Sequence, residues 1–418
     1  MANRTFRGGT SDKWGLNANW LEGVIPTNAD DVIFDASSPD CILNTNTGVA
    51  KTLNFTGFTN DISRDGIVNR QITVSGDITL SSTMSETTPF ILIQNETANF
   101  TSNGYELQSE WRPSGTKTYT LTENATINKF TVYGSASTVT INGFKLYVKK
   151  DAGSSGVTQI TGTTVLEFIG NSVRTQNLSF YAQTNIPLVL NSGGYTIKIA
   201  VHTHLIVYTT LTYTSGVIDS SGGAIIKCYD NAVLDTSGCT FTWLQYIGNT
   251  NNNSTTKATT IDFSALATSP KSILGTHAFE CADLNLGGGY ARTVNLKVGL
   301  TYKVTNSIYQ TAVPPDTTPH RTFQSSTASS PVYIEFTGLV QGVNFTRWVD
   351  VEFTDHTIYN YLGSTLRTAK IVDMTRISDL VQYVVPTEAN TKTGIKFGIA
   401  EEFTGTLATG GGAMAIMT

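Results

Sequence analysis

Tyr213-Thr214-Ser215-Gly216-Val217-Ile218-Asp219-Ser220-Ser221-Gly222 is echoed by Val233-Leu234-Asp235-Thr236-Ser237-Gly238-Cys239-Thr240-Phe241. The two Ser-Gly pairs, at Gly216 and Gly238, stand about one coil apart for a repeat of roughly 20 to 50 residues. A β-sandwich has no reason to reuse a turn phrase at that interval, whereas a β-solenoid returns to the same corner once per coil. The echo therefore favours an all-β, right-handed parallel β-helix over the alternative of β-sandwich or jelly-roll domains in tandem.

Short alternating runs surround the echo on both sides. Ile72-Thr73-Val74-Ser75-Gly76-Asp77-Ile78-Thr79-Leu80 and Val139-Thr140-Ile141-Asn142 put aliphatic residues on one face and Thr, Asn or Asp on the other. This is the period of a half-buried strand. Such runs recur from about Thr52 to Val304. At about 20 to 25 residues per coil they predict roughly 10 to 12 coils with two or three strands each. The pattern divides the chain into a cap over 1–48, a solenoid over 49–305 and a β-rich C-terminal region over 306–418. Within the last, Pro314, Pro315 and Pro319 mark a linker over Thr311–Ser330, Thr375–Tyr383 is a candidate helix, and Thr404–Thr418 is a tail rich in Gly, Ala and Met. Asn249–Lys257 reads as a polar loop.

Composition agrees with this reading. Of 418 residues 39% are hydrophobic and 14% charged, and Thr, Ser and Asn take the place of the missing charge, as strand faces and turns require. Lys and Arg total 27 against 32 Asp and Glu, which leaves no basic excess for nucleic acid. No apolar run reaches the roughly 18 residues of a membrane helix, and no secretory leader is visible after Met1. The cysteines Cys41, Cys228, Cys239 and Cys281 lack zinc spacing and read as buried free thiols, suited to folding in a reducing cytoplasm.

Open ends of a solenoid need covers. The stretch Met1–Asp35 supplies one, setting Trp14 and Trp20 among turn-formers ahead of Pro26, Asp31 and Phe34, and these five residues are the candidate structural cap. Met1-Ala2-Asn3-Arg4, Gly8-Gly9-Thr10, Trp14, Asn19-Trp20, Pro26-Thr27 and Ala29-Asp30-Asp31-Val32-Ile33-Phe34-Asp35 resemble the opening of a family of virion-associated proteins of tailed bacteriophages. Those openings look like MANR-aromatic-x-GGTG-x-W, an NW pair, then VPT-x-ADDV-x-FD. The specific likeness covers about the first 80 residues and departs at Thr5-Phe6-Arg7; a related NW…P…DDV-x-F pattern opens some bacterial surface proteins. The resemblance implies a head fibre, capsid decoration or tail-fibre component, assembled in the host cytoplasm and released by lysis. It also implies capsid or tail proteins as partners, with homo-oligomers, trimers among them, and a host surface glycan as a further partner. It carries over no catalytic residue.

Nothing in the chain is a catalytic signature: GxSxG, GxxxxGK[ST] and HExxH are all missing, and no cofactor or metal is expected. An enzyme of the tailspike-like depolymerase type would use Asp219 and Asp235, which occupy matching places in the echoed phrases at glycosidase-like stacking. Each also stands beside Ser-Gly, where Asp serves as a turn former. His202 and His204, two apart on a strand, and the group Asp350, Glu352, Asp355 and His356 read as solvated faces. Tyr208, Tyr213 and Tyr229 are the aromatics an adhesin would offer to a glycan.

Overall fold

The computed structural model describes residues 2–170, 176–179, 183–199, 204–221, 223–264, 270–286, 292–309, 321–328, 330, 332–336, 339–341, 346–349, 351–354 and 395–396. The chain forms two compact units, Met1–Gly222 and Gly223–Thr418. Each is a parallel β-solenoid with three faces. Apart from a single 3-10 turn at Asn17–Asn19, every regular element among the described residues is a strand. The predicted helix at Thr375–Tyr383 and the tail from Thr404 lie outside those residues.

In unit 1 the first face stacks Asn3–Thr5, Asp31–Ile33, Thr52–Asn54, Ile78–Thr79, Ala98–Thr101 and Thr118–Leu121 in parallel register. Its partners run Val32, Leu53, Ile78, Phe100, Leu121, steps of 21, 25, 22 and 21 residues. That spacing is the coil length the alternation predicts. The ladder opens at Asn3, inside the stretch assigned to the cap. A second face stacks Thr47–Ala50, Gln71–Val74, Ile91–Gln94 and Glu106–Pro113. The third begins with Cys41–Leu43 on Ile62–Arg64. Higher up, the 19-residue strand Ala125–Gly143 rounds all three faces, bending where its register shifts near Ile127 and Tyr133.

Alternation decides what enters the core. Val32, Leu53, Ile78 and Phe100 point inward and are fully buried, while the outward positions carry hydroxyls that pair between coils. Thr101 Oγ1 lies 2.7 Å from Thr122 Oγ1, and Thr140 Oγ1 lies 2.9 Å from Thr161 Oγ1. The Ser-Gly phrases earn their repetition from backbone geometry: Gly216 and Gly238 have φ of +108° and +84°, a region costly for any side chain.

On the third face, the stretch around Glu86 stands where a strand would be. Ser85 makes a lone parallel bridge to Asp61, and the Glu86 carboxyl turns inward, its Oε2 accepting from the N–H groups of Gln108 at 2.6 Å and Ser109 at 3.1 Å. Burial pushes this carboxyl up to about 7, with Asp61 adding to the rise and the Ser109 and Gln108 hydrogen bonds opposing it.

Unit 2 stacks Ile225–Cys228, Thr240–Tyr246, Thr256–Asp262, Phe279–Asn285 and Thr301–Tyr309 along one course. Ala232–Asp235, Thr250–Asn252, Lys271–Gly275, Arg292–Leu296 and Arg321–Ser325 form another. Its core is aromatic: Tyr246 stacks on Phe263 at 5.4 Å, and Phe279 meets Tyr302 at 4.7 Å. The loop expected over Asn249–Lys257 is corrected here. Thr250–Asn252 and Thr256–Asp262 are strands, and Asn252 is buried with its amide against the Tyr246 hydroxyl at 3.3 Å. Likewise Arg321–Ser325, placed in the Pro-rich linker, is a strand. All four cysteines are free and buried, and burial pushes each thiol up.

Candidate functional site

The first coil of unit 1 is closed by its own N-terminal loop. Asn19, wholly buried, organises that loop: its Oδ1 accepts from Thr10 N at 3.0 Å and Ser11 N at 3.2 Å, and its Nδ2 donates to Lys13 O at 2.7 Å. This fixes Trp14 and Trp20, 1% and 2% exposed, edge to face at 5.0 Å, with Trp20 Nε1 donating to Trp14 O at 2.9 Å. Phe34 lies against both rings and stacks on Phe55 at 4.9 Å, so the aromatic cluster passes down into the next coil. Pro26 is buried, and Asp31 accepts from Thr52 Oγ1 at 2.7 Å, tying the first coil to the next along the first face.

The loop also covers the free strand edges. Thr5 N donates to Glu22 Oε2 at 3.0 Å, and Leu21 N donates to Thr5 O at 2.9 Å. At Cys41–Leu43, Ile42 N donates to Asp12 O, and Ile42 O accepts from Trp14 N at 2.9 Å. Asp30 and Asp35 hold the entrance. Thr27, then Arg4, keeps the Asp30 carboxyl below its ordinary range, and the fork of Arg7, 2.8 and 3.0 Å away, does the same for Asp35.

The carboxylates named for catalysis fall in different units. Asp219 Oδ1 accepts from Ser221 N at 3.0 Å, the hydrogen bond of a turn former, and Ser221 holds its carboxyl low. Asp235 ends an exposed strand tip in unit 2. Tyr208, Tyr213 and Tyr229 are half-buried, and the Tyr213 hydroxyl donates to Gly216 O at 2.7 Å. The exposed aromatics among the described residues are instead Tyr133, Phe144 and Tyr195. His204 is on a strand while His202 lies outside the described residues, as do Asp350, Asp355 and His356. Glu352 is in the strand Val351–Thr354.

A cluster that sequence reasoning missed lies in unit 2. Register places Lys227 beside Gln245, Gln245 beside Asp262, Asp262 beside Asn285 and Asn285 beside Tyr309. These residues alternate with the core-facing Leu244, Tyr246, Ile261 and Phe263, so they stand on the side of the sheet away from the aromatic core. Even so, Gln245, Asp262 and Asn285 are only 6%, 1% and 2% exposed. Asp262 gathers donors: Trp243 Nε1 at 3.2 Å, Gln245 Nε2 at 2.9 Å and Ser264 Oγ at 2.9 Å on Oδ2, and Ser264 N at 2.6 Å on Oδ1. Gln245 Oε1 has no partner among the described residues. Burial pushes the Lys227 ammonium down, against the pull of Asp262, and pushes the Tyr309 phenol up, with Asp262 and Asp283 adding to it.

Among the described residues no group of three or more His, Cys, Asp or Glu side chains is set to hold a metal ion, and no helix is long and apolar enough to cross a membrane. Comparison with family models, with curated proteins and with solved structures returns no match to this chain.

Proposed function

We propose that this chain is a structural, non-enzymatic component of a tailed-bacteriophage particle, a head fibre, capsid decoration or tail-fibre protein displayed on the particle surface. The observation that carries the reading is the fate of the opening pattern. Trp14, Asn19, Trp20, Asp30, Asp31 and Phe34, the residues of the resemblance, close the first coil. A stacked solenoid with hydroxyl rungs between coils suits a rigid element held in the medium. In this reading its partners are capsid or tail proteins and further copies of itself, it assembles in the host cytoplasm, and lysis releases it. Mass spectrometry of purified particles tests the proposal: the chain is expected at a fixed copy number per particle, and its absence overturns the reading.

A further inference from the structure

We propose that the outward charged column of unit 2, Lys257, Glu280, Lys303 and Glu335, is the face on which two copies of this chain meet, antiparallel, about a two-fold axis. Parallel register sets Lys257 beside Glu280, Glu280 beside Lys303 and Lys303 beside Glu335. Their strand neighbours Ala258, Phe279, Cys281, Tyr302, Val304 and Ile334 are buried, so alternation turns the four charges outward. Lys257 Nζ lies 2.8 Å from Glu280 Oε2 and Lys303 Nζ lies 2.7 Å from Glu335 Oε1, yet the four side chains stay 29% to 44% exposed. Register puts Thr240 before Lys257 and Thr354 after Glu335, so neutral rungs bound the charges at both ends.

The order of signs selects the occupant. Plus, minus, plus, minus, read from the other end, is the complement of itself. A second copy turned antiparallel therefore sets the Lys257 of each copy against the Glu335 of the other, and the Glu280 of each against the Lys303 of the other, an isologous contact. Sliding by one rung brings like charges together, and so does a parallel arrangement in register, so the signs fix orientation as well as partner. Stacking within one chain asks only that neighbours differ in sign. An odd number of rungs would meet that demand equally and would oppose like charges when reversed; the even count makes the column its own complement. The flanks permit approach, since Thr301 stands two residues before Lys303, and Thr259, Ala282 and Thr305 stand two residues after Lys257, Glu280 and Lys303, all short. The chain as a whole carries a net charge of −5, which opposes general self-association, whereas the charges of this column cancel.

The inference does not need a place in a virion: a chain missing from purified particles leaves it standing, and a monomeric chain overturns it alone. Sedimentation of the full chain over a concentration series at low and high salt is the first test. A monomer–dimer equilibrium is expected, weakened about tenfold or more by raising NaCl. Lys257→Glu/Lys303→Glu and Glu280→Lys/Glu335→Lys give the column a single sign, and each variant alone should be monomeric. Mixed in equal amounts the two should form a heterodimer, because opposite columns then face each other; a column that serves only stacking inside one chain is not rescued in this way. Lys117→Glu, in unit 1, should leave dimerisation unchanged. Thermal unfolding checks that each variant is folded, and Lys257→Gln/Lys303→Gln with Glu280→Gln/Glu335→Gln is a milder pair in which the same loss and rescue are expected. A wild-type chain that stays monomeric, a dimer that single-signed columns leave unchanged, or folded single-signed variants that fail to pair when mixed overturns the proposal.

Discussion

Asn19 in unit 1 and Gln245 in unit 2 are both buried amides, and they are treated differently. Asn19 spends its Oδ1 on two backbone N–H groups and its Nδ2 on a carbonyl, so the loop around it has one arrangement. Gln245 donates to Asp262 and Ser264 while its Oε1 has no partner among the described residues. The aromatic neighbours differ in the same sense. Trp14 and Trp20 are sealed in the core, whereas Trp243 is half-buried and held from behind by a carboxylate. The Asn19 amide has its oxygen and nitrogen both answered, whereas the buried Gln245 acceptor goes without a partner among the described residues, at a cost of roughly 1–3 kcal/mol.

The comparison can be broken at several points. Trp20→Ala empties a large aromatic site and should cost about 3–5 kcal/mol in urea unfolding; a loss below about 1 kcal/mol would place that ring outside the core. Glu86 gives a second test, because its folded value near 7 exceeds its ordinary 4.5. The folded chain then holds that proton more tightly, so the contribution is complete below pH 4.5 and lost as pH rises through about 7. The difference is about 3 kcal/mol. Unfolding midpoints at pH 5 and pH 8 should show it, and Glu86→Gln should flatten the dependence. Asn19→Ala should cost about 2 kcal/mol by stranding the donors its side chain accepts, and an unchanged midpoint would remove Asn19 as the organiser of the loop. At the small end, Asp219→Asn should change stability by less than about 0.5 kcal/mol, as suits a surface turn.

How much of this was legible depended on whether a residue's partners were local or a coil away. Alternation in Ile72–Leu80 and Val139–Asn142 is a local signal, and it located the strands. The Ser-Gly phrase was legible because Gly216 and Gly238 meet the same backbone demand. Trp14 and Trp20 announced a buried ring cluster, but the role of Asn19 was hidden, since an Asn before a Trp looks like any turn residue. The Lys227–Tyr309 column left no pattern at all. Its members are separated by 18, 17, 23 and 24 residues, and a column with irregular steps has no period to find. Asn251 and Asn252 misled for a related reason: an Asn-rich run reads as loop until Tyr246, six residues before Asn252, supplies a buried hydroxyl for its amide.

The covering of the Asn3–Thr5 edge at Thr5 bears on strand addition by a second chain. A parallel ladder with a bare first rung is a template on which a second chain lays its own strand, and at high local concentration that is the seed of a fibril. With the Thr5 N–H given to Glu22 and the Thr5 carbonyl taken by Leu21, that rung is occupied at Thr5 by its own chain. A strand arriving from another chain would therefore have to displace the chain's own loop at Thr5 before it could pair there.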